Sequence, residues 1–345
     1  NNTVNSDGTK TSANNKLADY GGTLGDNGHM ARMKSAKNLT LEGIGDDAII
    51  DGWGFHLICE AGSPELAKNF EVRNLTFMNT PEDAIGMEGQ QETSTKTITA
   101  SVERCWVHHN TFLAPSIANA AESDKSEGDG SCDFKRGQYF TCSYNYFEGC
   151  HKTNLIGSSD SSLQYNLTYH HIIWYYCGYR VPLLRQANVH FYNNYIFGGY
   201  NASYVSDIRA DGYLFAEGNY YQGAKNIIDS VGSGCAVKMY NNVMLASFSK
   251  FNVDSVITND RESKVTCNTQ YKDISYANFD TNPNLFYYDS ANKKSDCYLT
   301  SATEARKICL QQSGSKYRTN AKKTQITNDY KLSYVDVSDS IDLSN

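Results

Sequence analysis

Hydrophobic and polar positions alternate along the chain in short runs, and one pattern returns. A few strand-like apolar residues are followed by an Asn or His and then by two or three large apolar residues. It reads "VRNLTF" at Asn74, "VHHNTF" at Asn110, "SYNYF" at Asn145, "YHHIIW" at His171, "YNNYIF" at Asn194, "EGNYY" at Asn219 and "YNNVML" at Asn242. The spacings are 36, 35, 26, 23, 25 and 23 residues, nearly constant from Asn145 onward. A fixed period in the twenties with strand-like content predicts a solenoid, in which stacked coils of short strands bury one continuous core. Leucine-rich repeats share the period, but their regular leucines are absent. The pattern therefore predicts an all-β parallel β-helix with coils over about residues 35–245. An amide at the same turn of successive coils can hydrogen-bond along the stack. Asn74, Asn110, Asn145, Asn194 and Asn219 are on that ground structural, as are His170 and His171.

The two long early spacings predict loops projecting from one side of the solenoid, at 87–99 and 113–128. Past about residue 250 the pattern fades. Ser301 and Glu304 have the spacing of a capping box ahead of "ARKICLQQ", with Gly314 as a stop, which predicts a helix at 302–312. The tail, 246–345, is expected to pack back on the coils as cover, so 1–345 is expected to be one domain. The opening "NNTVNSDGTK" shows no Met and no signal-peptide pattern, so a mature or trimmed chain is the expectation.

Composition narrows the partners. With 38 acidic against 31 basic residues the net charge is −7, which disfavours nucleic acid. Any anionic substrate must be held by a local cationic cleft. No apolar run is long enough for a membrane span. Ten cysteines with no CxxC pair argue against a zinc site and for disulfides, with Cys297 and Cys309 a plausible local pair.

Charged residues cluster in adjacent coils. "PEDAIGMEG" carries Glu82 and Asp83, "DGSCDFKRG" carries Asp129 and Asp133, "CHKTNLIGSSD" carries Lys152, and "YRVPLLRQ" carries Arg180 and Arg185. Equivalent positions of stacked coils lie about 4.8 Å apart. Asp83, Asp129 and Asp133 would then form an acidic patch beside a basic one of Lys152, Arg180 and Arg185. Three close carboxylates need a counter-charge. A hard cation such as Ca²⁺ supplies it, and so does a structural network of Asp–Arg pairs; the spacing leaves both open.

These segments resemble a family. "DGSCDFKRG", "YFTCSYNYFEGCHKTNLIGSSD" and "YRVPLLRQANVHFYNNYIFGG" are similar to the pectate lyases of polysaccharide lyase family 1. "SVERCWVHHNTF" resembles that family's "WVDHNTF"-type segment, with His108 where the family has Asp. The resemblance runs over about 35–245 and does not reach the family's opening. It implies a right-handed parallel β-helix that cleaves polygalacturonate by calcium-dependent β-elimination. It implies Asp83, Asp129 and Asp133 as calcium ligands, Arg180 as catalytic base, Lys152 and Arg185 as holders of the substrate carboxylate, and Arg209 as a weaker substrate contact. A secreted, extracellular monomer is the matching expectation.

The chemistry suits these residue types. Removing the weakly acidic C5 proton of a uronate builds charge on its carboxylate, where a metal ion and fixed cations stabilise it. Arginine's fork matches a carboxylate. If arginine is the base, a strongly alkaline optimum follows, since a guanidinium normally stays protonated. Two other classes stand beside this one. A hydrolase using two carboxylates such as Asp129 and Asp133 leaves the basic residues unexplained, and a non-catalytic polysaccharide-binding solenoid would not keep the base. A pectin lyase, acting on methyl-esterified polymer, would not need the acidic site.

Overall fold

The computed structural model describes residues 30–113, 129–198, 205–245 and 299–318, except 61, 63–65, 81, 93, 96, 224–226 and 233. It also describes the backbone of five two-residue strands outside those spans. The described chain winds as a parallel β-helix of three sheets, of nine, eight and eight strands. A long-strand sheet contains Ala67–Arg73, Val102–His108, Gly137–Ser143 and Gln164–His170. A short-strand sheet contains Thr76–Met78, Thr111–Leu113, Tyr146–Glu148 and Ile173–Tyr175. A third sheet, named the cleft sheet after the substrate cleft that the resemblance implies, contains Met30–Lys34, Gly54–Ile58, Ile85–Glu88, Cys132–Lys135, Leu155–Ile156, Leu183–Arg185 and Ser206–Arg209. Within each sheet every strand pairs in parallel with its counterpart one coil away.

Inward residues stack coil on coil. Phe77, Phe112, Phe147 and Trp174 form one column, with successive centroids 5.1, 4.5 and 5.8 Å apart. Each such buried ring contributes about 1.5–3 kcal/mol through area removed from water.

The turn from long-strand to short-strand sheet holds the amide ladder. Asn110 Oδ1 accepts from Leu75 N at 3.0 Å, and Asn145 Oδ1 accepts from Asn110 N at 2.9 Å. Ile172 interrupts the series, and Asn194, Asn219 and Asn242 resume it. Asn74 and His171 are not rungs, as the repeat implied. They stand one position earlier, with His109, Tyr144 and Asn193, in a left-handed row at φ between 49° and 54°. Asn145→Ala is expected to leave the buried Asn110 N–H without its acceptor, costing about 1–3 kcal/mol. Equilibrium urea unfolding measures it.

Histidines line the same corner. His109 stacks on Tyr144 at 4.8 Å, Tyr144 on His171 at 4.8 Å, and His170 on Tyr192 at 5.0 Å. Burial holds His109 and His171 down to about 4, and burial with neighbouring histidines holds His170 well below the usual range. The unfolded chain therefore binds more protons than the folded one below the ordinary imidazole pKa of about 6.5. Stability should fall as pH drops through that value, by about 1.4 kcal/mol per pH unit for each such histidine, until the folded values are reached. Thermal melts from pH 7 to pH 4.5 check the sign.

The expected helix is present at Ala302–Gln312, with Ser301 Oγ accepting from Glu304 N. The segment around it is a strap. Thr300 N donates to Asn193 Oδ1, Ser313 Oγ to His171 O, Gly314 N to Tyr144 O, Ser315 N to Thr111 Oγ1 and Lys316 N to Asn74 Oδ1. It thus walks back along the turn row from coil to coil. Arg306 lies over Tyr195 and Tyr220, and Arg318 lies 4.0 Å over Tyr146. Apart from the backbone of Ile257–Thr258, Tyr288–Asp289 and Lys294–Ser295, the remaining tail lies outside the described residues.

Two expectations need correction. The loops at 87–99 and 113–128 leave from different corners. The first follows the cleft-sheet strand and contains an antiparallel hairpin, Gln90–Glu92 with Thr97–Ala100, while the second precedes the next cleft-sheet strand. Residues 114–128 themselves lie outside the described residues. The eight described cysteines, Cys309 included, are buried free thiols, so the disulfide reading does not hold among them. They fill the interior as small apolar groups; burial pushes the Cys309 thiol up to about 12. Cys267 and Cys297 lie outside the described residues.

Candidate active site

Every singled-out charged residue falls on the cleft sheet's outer face or in the turns leading into it. Asp83 precedes the strand Ile85–Glu88, and Asp129 precedes Cys132–Lys135, on which Asp133 sits. Lys152 and Tyr179 bridge adjacent coils, which sets Lys152 beside Arg180. Arg185 ends its strand in register with Arg209. Residues up to 126 positions apart thus share one ledge, because the solenoid converts sequence distance into strand spacings.

The carboxylates divide unevenly. Asp83 and Asp133 converge on Gly130: a Cβ there would lie 2.3 Å from Asp83 Oδ1 and 3.0 Å from Asp133 Oδ1. A side chain at that turn would make Asp83 shift. Asp133 Oδ1 also accepts from Leu155 N at 2.9 Å. Burial first, and then Asp83, push the Asp133 carboxyl up to about 8. Asp129 stands apart and more exposed, 4.0 Å from Lys152 Nζ. As placed, no three acidic, His or Cys side chains among the described residues form a metal-holding cluster. The expected three-carboxylate patch is thus a pair with a neighbour.

Lys135 provides the pair's internal counter-charge. Its ammonium is 3.3 Å from Asp83 Oδ2 and 3.6 Å from Asp133 Oδ2, and these two partners raise its pKa against the cost of burial. Sequence reasoning gave it no role, although the i, i+2 spacing from Asp133 already put both on one strand face. Two further carboxylates were missed. Asp160 Oδ1 is 3.0 Å from Arg185 Nε, and buried Asp207 Oδ2 is 2.6 Å from an Arg209 terminal nitrogen. Asp207 was legible by the same i, i+2 rule; Asp160 reaches Arg185 through a turn, which leaves no spacing signal.

The cations form a graded row. Arg180 stands at φ 61° in the turn before its strand, a conformation a non-glycine residue adopts at some cost. Its backbone is held there by Asn154 N donating to Arg180 O at 2.8 Å. Arg185 donates to Gly157 O at 3.0 Å. Burial lowers the Arg185 pKa, and the Arg209 and Arg180 charges add to that. The row can hold an anion whose charge grows during reaction.

A solenoid with an acidic pair flanked by cations on one sheet defines a class, and comparison with known proteins places it. A family model described as pectate lyase matches residues 26–334, and the chain belongs to that family. Pectate lyase 3 of Pectobacterium carotovorum is 32% identical over 206 residues, covering 58% of this chain and 52% of the relative. Pectate trisaccharide-lyase of Bacillus licheniformis is 32% identical over 193 residues, 53% of this chain and 50% of the relative. The chain spans about half the length of these curated relatives. Among solved structures, a pectate lyase from a Bacillus species in complex with trigalacturonate matches with TM-score 0.57 at 22% identity, covering 83% of this chain and 77% of that one. Pectate lyase II of Xanthomonas campestris matches with TM-score 0.52 at 18% identity, over 84% and 80%. These structural likenesses carry the fold.

Proposed function

We propose that this chain is a calcium-dependent pectate lyase, one catalytic unit over 1–345, that cleaves α-1,4-linked polygalacturonate by β-elimination. The observation that carries the reading is the buried Asp83–Asp133 pair set into a row of Lys152, Arg180, Arg185 and Arg209. Family membership supports it.

The donor set fits a hard cation. It is all oxygen, it includes a carboxyl that burial and Asp83 push up to about 8, and its present counter-charge is one ammonium. Asp83 and Asp133, with Asp129 from the turn beside them, would hold Ca²⁺. Bound there, Ca²⁺ supplies Lewis-acid stabilisation of a uronate carboxylate.

The chain's own residues do the rest. Lys152 and Arg185 hold the carboxylate of the reacting sugar, Arg185 being steadied by Asp160 and Gly157 O. Arg180 takes the C5 proton. The electron pair moves into the C4–C5 bond as the C4–O4 bond breaks, and the departing oxygen takes a proton from water, leaving a 4,5-unsaturated uronide and a new reducing end. Arg209, held by Asp207, contacts an adjoining sugar. A base that is normally protonated makes the reaction faster at alkaline pH.

Such a polymer is degraded outside the cell, so the protein is read as secreted and acting as a monomer. No helix among the described residues is long and apolar enough to cross a membrane. Mass spectrometry of oligogalacturonate products tests the reaction class. Elimination gives unsaturated fragments one water lighter than the hydrolytic ones; saturated fragments alone would make the protein a hydrolase.

A further inference from the structure

The cleft sheet extends three strands beyond Asp133 toward the N-terminal end, and its outer face there is unassigned. Register makes the rows explicit. Arg32, His56, Gly86 and Asp133 lie in one row, and Lys34, Ile58, Glu88 and Lys135 in the next. At the other end Leu183 and Asp207 are in register, and so are Arg185 and Arg209. The acidic pair therefore stands between two cationic ends, Arg185 with Arg209 and Arg32 with Lys34. Strand Met30–Lys34 lies about 14 Å from Cys132–Lys135 at three strand spacings.

We propose that Arg32 and Lys34 form a distal subsite that binds the carboxylate of a galacturonate residue a few sugars from the cleavage point. This rests on the pectate lyase reading and names what the same cleft does with longer chains. A linear polyuronide lying along the solenoid axis meets a new strand about every sugar length, so the far row meets the same polymer. The surroundings suit a sugar. Lys34 is exposed and pairs with Glu60 at 3.3 Å, a solvent-screened contact that a carboxylate can replace. Ile58, half-buried in the Lys34 row, offers an apolar step for a ring face. His56 is tied to Glu88 at 3.4 Å, and Glu88 also pairs with Arg136. The Glu88 carboxylate between the two cationic ends is countered by Arg136, with the Lys135 charge beside it, and does not repel the chain. Burial opposes its ionisation, but His56, Lys135 and Arg136 together hold it down to about 2.

The test is chain-length kinetics with an Arg32→Gln/Lys34→Gln double variant. Trigalacturonate, too short to reach from the Arg180 row to the first coil, should be cleaved with wild-type kcat and KM. Hexagalacturonate and polygalacturonate should show KM raised about tenfold, the scale of one or two lost charge-assisted contacts, with kcat unchanged. The charge-keeping Arg32→Lys/Lys34→Arg variant should retain wild-type KM, and matched melting temperatures exclude a folding effect. Equal KM for double variant and wild type on hexagalacturonate, or an equal loss on trigalacturonate, overturns the subsite while leaving the lyase reading intact. A wild-type protein that neither cleaves nor binds any oligogalacturonate overturns that reading, and the subsite with it.

Discussion

Arg180→Lys is expected to yield a folded protein that binds substrate and cation yet turns over about 10²–10⁴-fold more slowly, the contribution of one positioned proton-transfer group. The turn should survive, because its geometry comes from backbone contacts: Asn154 N to Arg180 O and Val181 N to Val205 O. What changes is reach and shape. A lysine ends nearer the backbone and has no planar nitrogen to place at the C5 proton. The signature is a collapse of kcat with KM within a few-fold of wild type. Near-wild-type kcat would remove Arg180 as the base.

The second large effect is expected at the acidic pair. Asp133→Asn removes a charge while leaving an oxygen that can accept from Leu155 N, so the strand junction is preserved. The loss of one charged ligand, about 1.5–3 kcal/mol, corresponds to about 10–100-fold weaker calcium binding by calorimetry. Asp129→Asn should cost less, because Asp129 stands apart beside Lys152 while Asp83 and Asp133 converge at Gly130. Unchanged affinity in the Asp133 variant would return the pair to the purely structural role its contacts with Lys135 also allow.

The solenoid was legible because its period is a property of single residues: an Asn at one turn, large apolar groups after it. The off-by-one at Asn74 and His171 arose because two consecutive turn positions both favour polar residues, one for a left-handed backbone and one for the amide ladder. The ledge of Asp83, Asp133, Lys152, Arg180 and Arg185 was legible once stacking was assumed. Its internal pairing was not. That Lys135 satisfies two carboxylates, and that Asp160 and Asp207 steady Arg185 and Arg209, depends on which side chains meet across coils. The cysteine count misled because it carries no geometry. Cys132 and Cys142 fall on strands whose inward positions need small apolar fillers, and nothing in their number distinguishes that from cross-linking.

The central claim is that one cleft uses calcium to make a uronide eliminate. The most direct measurement follows the ultraviolet absorbance of unsaturated uronide from unesterified polygalacturonate at alkaline pH, first with a chelator and then with calcium restored in excess. The account predicts no rise under chelation and an immediate rise on calcium addition. A rise that chelation leaves untouched, or new reducing ends without any rise, would contradict it.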